Sequence, residues 1–519
     1  MKTTEIKNLS RDFESAREYI EEVLKESRAA DTVMTETMLI FEALCHNIYA
    51  QQENAVIAVS GRSRMGCTMI RLGFEGRIYS PENDEEEALS PEGRILTAYA
   101  EKIDYSYQAG YNRITITVRR GRQASVISCV IGMVLAIAAS LPIYFLAGAE
   151  DKQFLAESIL APFESLFINA VLMIAAPVTF LSFLKHMTDI YILATRSSGA
   201  RKLQKEMVLS SIAAVLLAVL TAVAILGLVR DSIAPFYHDN VIYLMSLPGW
   251  LLSLIPSNIV TPFMSISPFP LFFTAILFAW AMCYSGKHFD RLKGVIDAFY
   301  TLFSRMLSVV MYFLPVFVFA AFMDIVMRNG FSILLYLAGL ILIVALSLAV
   351  LFIGYGIRLW CKKIPILPFV KKLLPLLREN WKIGSAIDAV PFNVRYCVRQ
   401  YHMDQKRLKI GIPILAQINL DGNCFILTLI AIMLMDVVGR ITSTTALMIM
   451  VLVFFLSLGA PNQPGSILIG MVILLNYMNA FELYSLAIIC EMFFGGLLNI
   501  TNVVGDIITA YIFDQRNGA

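Results

Sequence analysis

The stretch PILAQINLDGNCFIL, residues Pro413–Leu427, sets Asn419, Asp421 and Asn423 into an otherwise apolar segment. On insertion scales an intramembrane Asp costs about 2.5–3.5 kcal/mol, so such a group is normally paired or functional. A regular helix would send Asn419 and Asp421 to different sides, because they are two residues apart. Local unwinding at Asp421-Gly422, where glycine tolerates the required dihedral angles, would let side chains and freed carbonyls converge. The stretch therefore predicts a binding site in a broken membrane helix.

The composition of the whole chain is that of a membrane protein. Of its 519 residues, 57% are apolar and 16% are charged, and the mean hydropathy is +0.67, whereas a soluble domain lies near neutral hydropathy. The net charge of +2 gives no indication of a nucleic-acid partner. The eight cysteines form no CxxC pair or Cys/His cluster, and the five histidines are equally dispersed, so we expect the cysteines to be small apolar packing residues. The sequence shows no nucleophile–base pair and does not indicate an enzyme.

Apolar segments long enough to cross a bilayer begin near Val126. Each exceeds the roughly 20 residues that about 30 Å of hydrocarbon requires. The predicted spans are Val126–Ala147, Leu155–Leu184, Met207–Val229, a long broken region Leu244–Cys283, Ala298–Met327 and Ile333–Ile357. Basic connectors, such as RSSGARKLQK at 196–205 and CKKIPILPFVKK at 361–372, are expected in the cytosol by the positive-inside rule, together with the polar N-terminus.

Beyond residue 370 the apolar segments no longer have the pattern of simple spans. LLRENWKIGSAIDAVPFNVRY is too polar in its middle to cross lipid as one helix, and MVLVFFLSLGAPNQPGSILIGMVILL is interrupted at Ala460–Gly465. Two prolines and a glycine within these six residues end a helix and reverse the chain. Both stretches predict re-entrant hairpins, whose irregular tips are tolerated only where protein or an aqueous cavity surrounds them. Paired broken segments of this kind indicate the binding site of a transporter.

The final apolar segment, LLNITNVVGDIITAYIF, carries Asn502 and Asp506 four residues apart, which places both on one helix face. Two carboxylates, Asp421 and Asp506, together with asparagine and backbone oxygens form a hard, oxygen-rich environment. Such an environment suits a small cation and offers nothing to a soft metal. We therefore expect coordination of a cation, sodium (Na+) or a proton.

Residues from about 125 to 513 resemble the dicarboxylate/amino acid:cation symporters, the glutamate transporter family. INLDGN stands where that family has Asn-Met-Asp-Gly-Thr, LSLGAPNQPGS stands at its second hairpin tip, and NVVGD matches Asn-Val-Thr-Gly-Asp of its last helix. The resemblance implies an all-α multi-pass membrane protein with two re-entrant helical hairpins, assembled as a homotrimer in the lipid of the cell inner membrane. It implies transmembrane scaffold helices over 123–360 and a transport core over 361–519.

Carried over by position, the resemblance implies three cation sites. Asp506 would bind sodium with backbone carbonyls, a second sodium would lie under the second hairpin, and Asn419 and Asp421 would serve a third site. The implied cation-binding residues are Leu415, Gln417, Asn419, Asp421, Ser457, Leu458, Ala460, Asn502 and Asp506. The other partners of the third site fall at Ser210, Ala213 and Ala214, where the alanines supply no hydroxyl groups.

The implied substrate residues depart from the family. Its substrate Asp and Arg in the last helix are Gly495 and Leu498 here, and a leucine cannot form a bidentate pair with a carboxylate. Glutamate, aspartate or succinate would therefore keep a poorly paired carboxylate, so we expect a polar solute without a second one. Glu491 or Asp388 would favour a substrate amine instead. The implied substrate-binding residues are Ser385, Ala386, Asp388, Asn423, Asn462, Gln463, Gly495, Leu498, Asn499 and Asn502.

Residues 1–122 predict a small soluble α/β domain in the cytosol. Its predicted elements are the helices Leu9–Arg28 and Thr32–Gln52, the strands NAVIAVS and CTMIRLGF, a helix over about Glu92–Ile103 and the strand RITITVRR. This order resembles the histidine-kinase-like ATPase domains of anti-sigma factors, with Glu42 and either His46 or Asn47 in the nucleotide region. Its glycine boxes keep few glycines, so the loops offer few N–H groups for phosphates. We expect a structural or regulatory remnant without bound ATP.

Together these features predict a secondary active symporter that moves a small polar organic solute, of the amino acid or carboxylate class, coupled to sodium or protons. The alternative is a membrane solute sensor that signals through the N-terminal domain to a cytosolic protein partner without transport. Retention of INLDG and NVVGD favours coupling, because a pure receptor would not need a cation site.

Overall fold

A computed structural model gives the three-dimensional structure of the chain. It describes residues 3–7, 9–52, 55–64, 67–77, 79, 95–96, 99, 103–108, 110–119, 122–196, 198–233, 247–437, 443–461 and 463–518. The chain divides into two compact units, Met1–Val126 and Ile127–Ala519.

In its described residues, the first unit contains a five-stranded antiparallel sheet and two helices. Its elements are β1 Thr3–Ile6, α1 Leu9–Ser27, α2 Asp31–Gln51, β2 Ile57–Arg64, β3 Cys67–Glu75, β4 Ile103–Gln108 and β5 Tyr111–Arg119, with the strands in the order β1-β2-β3-β5-β4. Ile114, Ile116 and Val118 of β5 alternate with more exposed residues, so one face of the strand is buried. That face joins buried residues of both helices in one apolar core.

The sequence analysis missed two strands of this unit, β1 and β4. Both are edge strands of the sheet, and every residue of β4 after Ile103 is exposed. The apolar alternation that marks a half-buried strand is therefore weak in them. The helix predicted over about 92–103 lies almost entirely outside the described residues, and its last residue, Ile103, begins β4.

Two of the residues predicted for a nucleotide region, Glu42 and Asn47, make contacts within this unit. The Asn47 Oδ1 accepts hydrogen bonds from the Tyr79 hydroxyl at 2.6 Å and from the Gln51 Nε2 at 3.4 Å. Glu42 forms an ion pair with Arg17 at 3.1 Å. The resemblance of this unit to an ATPase domain stays a prediction.

The second unit is α-helical. Its helices are α3 Arg122–Leu146, α4 Ala149–Leu155, α5 Ala161–Arg196, α6 Ser198–Ile233, α7 Leu247–Ser253, α8 Thr261–Met264, α9 Pro268–Cys283, α10 Phe289–Tyr312, α11 Leu314–Asn329, α12 Ile333–Cys361, α13 Ile366–Ile383, α14 Val390–Tyr401, α15 Gln405–Ile418, α16 Asp421–Val437, α17 Ser443–Leu458, α18 Ser466–Tyr477 and α19 Tyr484–Gly518. In the described part of the chain, seven helical segments are long and apolar enough to cross a membrane. They lie in α3, α4 with α5, α6, α10, α12, α15 with α16, and α19.

Both predicted hairpins are present. Hairpin 1 consists of α13 and α14 joined by a tip at 384–389, and hairpin 2 consists of α17 and α18 joined by a tip at 459–465. Gly384 (φ 77°) follows α13 and Gly465 (φ 98°) precedes α18. A side chain is strained at such dihedral angles, so glycine suits both positions.

The predicted span Ala298–Met327 is wrong as a single helix. The structure divides it into α10 and α11, which meet at Phe313. Pro315 explains the division, because it has no N–H for the carbonyl four residues earlier and its ring clashes with that carbonyl. The predicted span Ile333–Ile357 is too short, since α12 continues to Cys361.

We expect Gly132→Ala to destabilise the protein and Gly356→Ala to leave it unchanged or stabilise it. A Cβ at Gly132 in α3 would lie 2.6 Å from the Pro315 carbonyl oxygen, whereas nothing lies within 4 Å of a Cβ at Gly356 in α12. Forcing two backbones apart costs about 1–3 kcal/mol, and Gly to Ala in an open helix gains up to about 1 kcal/mol. Thermal unfolding of the purified variants measures both. Equal melting temperatures would contradict close packing at Gly132.

Candidate functional site

The helix break predicted from the opening stretch is present and separates α15 from α16. Asn419, at φ −86° and ψ 75°, leaves the helical conformation, and α16 begins at Asp421. The break therefore precedes the predicted position at Asp421-Gly422, and Gly422 lies inside α16. Glycine is needed there for close approach: its N–H donates to the Asn502 Oδ1 at 2.8 Å, and a Cβ would lie 2.9 Å from that oxygen.

Asp506 of α19 lies opposite this break and is 3% exposed. Its Oδ1 accepts a hydrogen bond of 3.0 Å from the Asn419 Nδ2. Among the residues that the structure describes, no Lys, Arg or His forms an ion pair with Asp506, and its charged neighbour is Asp421. The Asn419 Oδ1 is buried without a hydrogen-bond partner in the same described set. A buried carboxylate without a countercharge thus lies beside an unused amide oxygen.

The backbone around the break adds further oxygens. The Leu415 carbonyl accepts the Asn419 N–H at 2.8 Å and keeps a second lone pair. Asn502, one turn before Asp506 on α19, is 6% exposed. These are the residues that the sequence analysis assigned to the first cation site, and the geometry brings their elements together.

A chain of amide groups leads from the break to hairpin 2. The Asn502 Nδ2 donates to the Asn423 Oδ1 at 3.4 Å, and the Asn423 Nδ2 donates to the Ser466 Oγ at 2.9 Å. Ser466 is the first residue of α18. The last helix, α16 and the second arm of hairpin 2 are therefore linked by side-chain hydrogen bonds.

Asp421 has a different environment from that of Asp506. Its carboxylate is fully buried and accepts hydrogen bonds from Ser210 at 2.6 Å and Tyr355 at 3.0 Å on Oδ2, and from Ser211 at 3.2 Å on Oδ1. The sequence analysis placed the partners at Ser210, Ala213 and Ala214. Ser211, next to Ser210 on α6, supplies the second hydroxyl in place of the alanines, and Tyr355 of α12 supplies the third.

The carbonyls at the tip of hairpin 2, predicted for a second cation, contact α5. The His186 Nδ1 lies 2.7 Å from the Leu458 carbonyl oxygen and must carry the hydrogen, because a carbonyl can only accept. The Ser182 hydroxyl donates to the Ala460 carbonyl at 3.1 Å. Ser457 is buried nearby in the sequence, and Gln417 of α15 is half-buried. The tip is therefore held against α5 in this structure.

The predicted substrate residues of hairpin 2 and its neighbours include one amide without partners. Gln463 is 7% exposed, and both its side-chain Oε1 and Nε2 lack hydrogen bonds within the described residues. Asn462 lies outside those residues. Glu491 accepts the backbone N–H groups of Gly465 at 3.1 Å and Leu468 at 3.2 Å. Its carboxylate is therefore bonded to hairpin 2.

The remaining predicted substrate residues lie around hairpin 1 and on α19. Ser385 Oγ accepts the Asp388 N–H at 3.3 Å within the tip of hairpin 1, where Ala386 is buried. The Asn499 Nδ2 donates to the Asn380 carbonyl of α13 at 3.3 Å. Gly495 and Leu498 lie on α19, and the Leu498 side chain is 3% exposed.

Sequence reasoning missed Tyr355 and Arg358 of α12 and His186 of α5. Arg358 follows directly on the predicted end of its span at Ile357, and His186 lies two residues beyond the predicted end of another at Leu184. An ionisable residue within a membrane helix is a functional candidate. Extending the two spans would have identified Arg358 and His186, whereas Tyr355 lies inside its predicted span and was not singled out.

We expect Tyr355→Phe to lower the free energy of unfolding by about 1.5–3 kcal/mol, since it removes a buried hydrogen bond to a charged group. Tyr336→Phe is the matched control, because Tyr336 lies on the same helix and is 41% exposed. Thermal unfolding of the two variants in one buffer measures the difference. Equal stability would contradict a role of the Tyr355 hydroxyl in holding Asp421.

Comparison with known proteins agrees with this architecture. Residues 125–516 match the Sodium:dicarboxylate symporter family. A C4-dicarboxylate transport protein of Xylella fastidiosa (strain M23) is 23% identical over 377 residues, which cover 69% of this chain and 83% of that protein. C4-dicarboxylate transport protein 1 of Pseudomonas paraeruginosa (strain DSM 24068 / PA7) is 25% identical over 264 residues, covering 50% and 59% respectively. The resemblance to the cation symporters is thereby confirmed: the chain belongs to the sodium:dicarboxylate symporter family and is a multi-pass membrane transporter, not an enzyme.

Proposed function

We propose that the protein is a secondary active symporter that moves a small polar organic solute together with sodium or a proton bound at Asp506. The observation that carries this proposal is the buried Asp506 carboxylate, which has no ion pair in the described part of the chain and lies beside the unpartnered Asn419 Oδ1. Burying an isolated carboxylate costs several kcal/mol. A bound cation removes that cost.

The donor set favours a hard cation. Asp506, Asn419 and the carbonyls of Leu415 and Asn502 offer only oxygen, which suits small hard cations. No group of three or more His, Cys, Asp or Glu side chains that could hold a metal ion occurs in the described residues. Sodium would lie between the break and α19, with Asp506 and Asn419 as its side-chain ligands.

Coupling follows from the chain of amides that begins at this site. A cation that fixes Asn419 and Asp506 also fixes α19 against α16, and Asn502 and Asn423 carry that order to Ser466 of hairpin 2. A solute bound beneath the hairpin would stabilise the same arrangement. Two ligands that favour one conformation raise each other's affinity, which is the thermodynamic basis of symport.

Transport would require hairpin 2 to leave α5. The bonds from His186 to Leu458 and from Ser182 to Ala460 hold the tip in the present conformation. In an alternating-access cycle the hairpins move against a scaffold, so these bonds break and reform once per cycle. We propose that the scaffold lies within 123–360 and the transport core within 361–519, with the N-terminal unit in the cytosol of a trimer in the inner membrane.

The solute pocket supports a solute with a single carboxylate or none. Leu498 is apolar and buried and cannot pair with a carboxylate. Gln463 offers a buried amide donor and acceptor, each without a partner in the described set. A solute amide could satisfy both, since buried polar groups otherwise lose free energy.

We expect sodium, at matched ionic strength, to raise the melting temperature above that in potassium or choline, and Asp506→Asn to abolish the effect. A ligand that binds only the native state adds about 2.7 kcal/mol at 100 times its dissociation constant. Asp404→Asn is the control, because Asp404 caps α15 through the Arg407 N–H at 2.8 Å and Asn caps helices equally well. A sodium effect that persists in Asp506→Asn would reject this site, and equal melting temperatures in all salts would leave the proton as the coupling ion.

We expect amide solutes to stabilise the sodium-bound protein more than the matching diacids. Succinamate against succinate and asparagine against aspartate are suitable pairs, because each differs by one group. Gln463→Leu should remove the preference by deleting the amide partner, a loss of about 1–3 kcal/mol. A larger shift with succinate than with succinamate would contradict the proposed pocket. A solute that stabilises the protein without entering sealed vesicles would favour the sensor instead.

A further inference from the structure

Arg358 of α12 lies one hydroxyl group away from Asp421. Its Nη1 donates to the Ser210 Oγ at 3.3 Å, and Ser210 in turn donates to the Asp421 Oδ2 at 2.6 Å. The same Nη1 donates to Thr509 of α19 at 3.0 Å, and Nη2 pairs with Glu206 of α6 at 3.4 Å. Three partners on two helices thus fix the guanidinium beside the Asp421 carboxylate.

The two carboxylates of the site differ in the positive charge that lies near them. Asp506 has no positive side chain paired with it in the described residues, whereas the Arg358 guanidinium is linked to the Asp421 carboxylate through the Ser210 hydroxyl. The two sites are close together, since a Cβ at Gly505 would lie 2.9 Å from the Asp421 Oδ2 and 3.1 Å from the Asn419 Nδ2. A fixed positive charge therefore lies near the Asp421 carboxylate, and the described residues place none beside Asp506.

The surroundings of Asp421 do not fit an additional cation. Its two oxygens already accept three hydroxyl hydrogen bonds, and a guanidinium is always charged. A cation placed among these hydroxyls would meet the like charge of Arg358 at short range. It would also take Ser210 away from the guanidinium, which would then keep Thr509 and Glu206 alone.

We infer that Arg358 takes the place of a transported cation at Asp421. The protein therefore moves its solute with one cation fewer than it would if the third site, at Asn419 and Asp421, also bound a cation. This inference rests on the proposed function, because it concerns how many cations accompany the solute. It assigns to Arg358 a role that the resemblance does not imply. The carboxylate keeps its structural partners, and its countercharge is built into the chain.

The test measures how steeply stability rises with sodium in the purified full-length protein, with choline keeping the ionic strength constant. The slope of stabilisation against the logarithm of sodium concentration counts the ions bound by the native state. We expect Asp421→Asn to keep the wild-type slope, because no ion is lost with that carboxylate. We expect Arg358→Gln to add the contribution of one ion, because the uncompensated Asp421 then recruits sodium.

Two further variants separate the role of Arg358 from simple packing. Glu206→Gln removes the carboxylate that pairs directly with Arg358 and should keep the wild-type slope. The double variant Arg358→Gln/Asp421→Asn should return to the wild-type slope, because the carboxylate that recruits sodium is gone. A structural role alone would lower the melting temperature of Arg358→Gln without changing its slope.

A lower slope in Asp421→Asn would overturn the inference, and so would an unchanged slope in folded Arg358→Gln. If Arg358→Gln does not fold, Asp421→Asn decides alone. A wild-type protein indifferent to sodium would reject sodium at Asp506. In that case a slope of one sodium ion in Arg358→Gln would still support the replacement of a cation by Arg358. A melting temperature of that variant that does not change with sodium would overturn it.

Discussion

A carboxylate buried inside a membrane protein is costly unless it is neutralised, hydrogen-bonded or bound to a cation, and the candidate site of this transporter contains two such groups. Asp506 follows Gly505 on α19, and a Cβ at Gly505 would lie 2.9 Å from the Asp421 Oδ2, so this helix packs closely against the break. The free energy of an uncompensated charge in such a place is larger than that of most single contacts in a protein. The arrangement of α6, α12, α16 and α19 is therefore constrained by how each carboxylate is satisfied.

Hydrogen bonds between polar groups connect these helices to hairpin 2. The amides of Asn502 and Asn423 connect the broken helix to the first residue of α18, and the Glu491 carboxylate accepts two N–H groups at the beginning of that arm. The end of the other arm, Leu458, and the tip residue Ala460 are bonded to α5. Hairpin 2 thus has polar contacts both to the candidate site and to α5. In the proposed transport cycle it leaves α5, and a bound ligand would shift the free-energy difference between the two sets of contacts.

Much of the fold could be predicted from the sequence, because the decisive signals are local. The prolines of LSLGAPNQPGS end one arm of hairpin 2 where the structure ends it, and the apolar run of α12 is continuous through most of its length. The order of INLDGN and NVVGD indicated which helices carry the site. The position of the break was missed by two residues, because Gly422 lies inside α16, where it allows close approach to Asn502 and does not unwind the helix.

The partners of the site could not be predicted, because they come from distant parts of the chain. Ser210 and Asp421 are 211 residues apart, and His186 and Leu458 are 272 residues apart. Neither a hydrophobic periodicity nor a short motif predicts a contact between residues so far apart in the sequence. The edge strand β4 and the division at Pro315 were missed for a different reason. The exposed residues of β4 give no alternation of apolar and polar side chains, and one proline hardly alters the mean hydropathy of the apolar segment around it.

The guanidinium beside Ser210 has a consequence for the empty carrier. A symporter must return without its ligands, and a carboxylate that depends on a transported ion is left bare during that step. Asp421 keeps its compensation when every transported species has dissociated, because Arg358 belongs to the chain. If Asp506 binds the transported cation as proposed, the barrier to the unloaded return would contain the desolvation of one bare carboxylate, that of Asp506, instead of two.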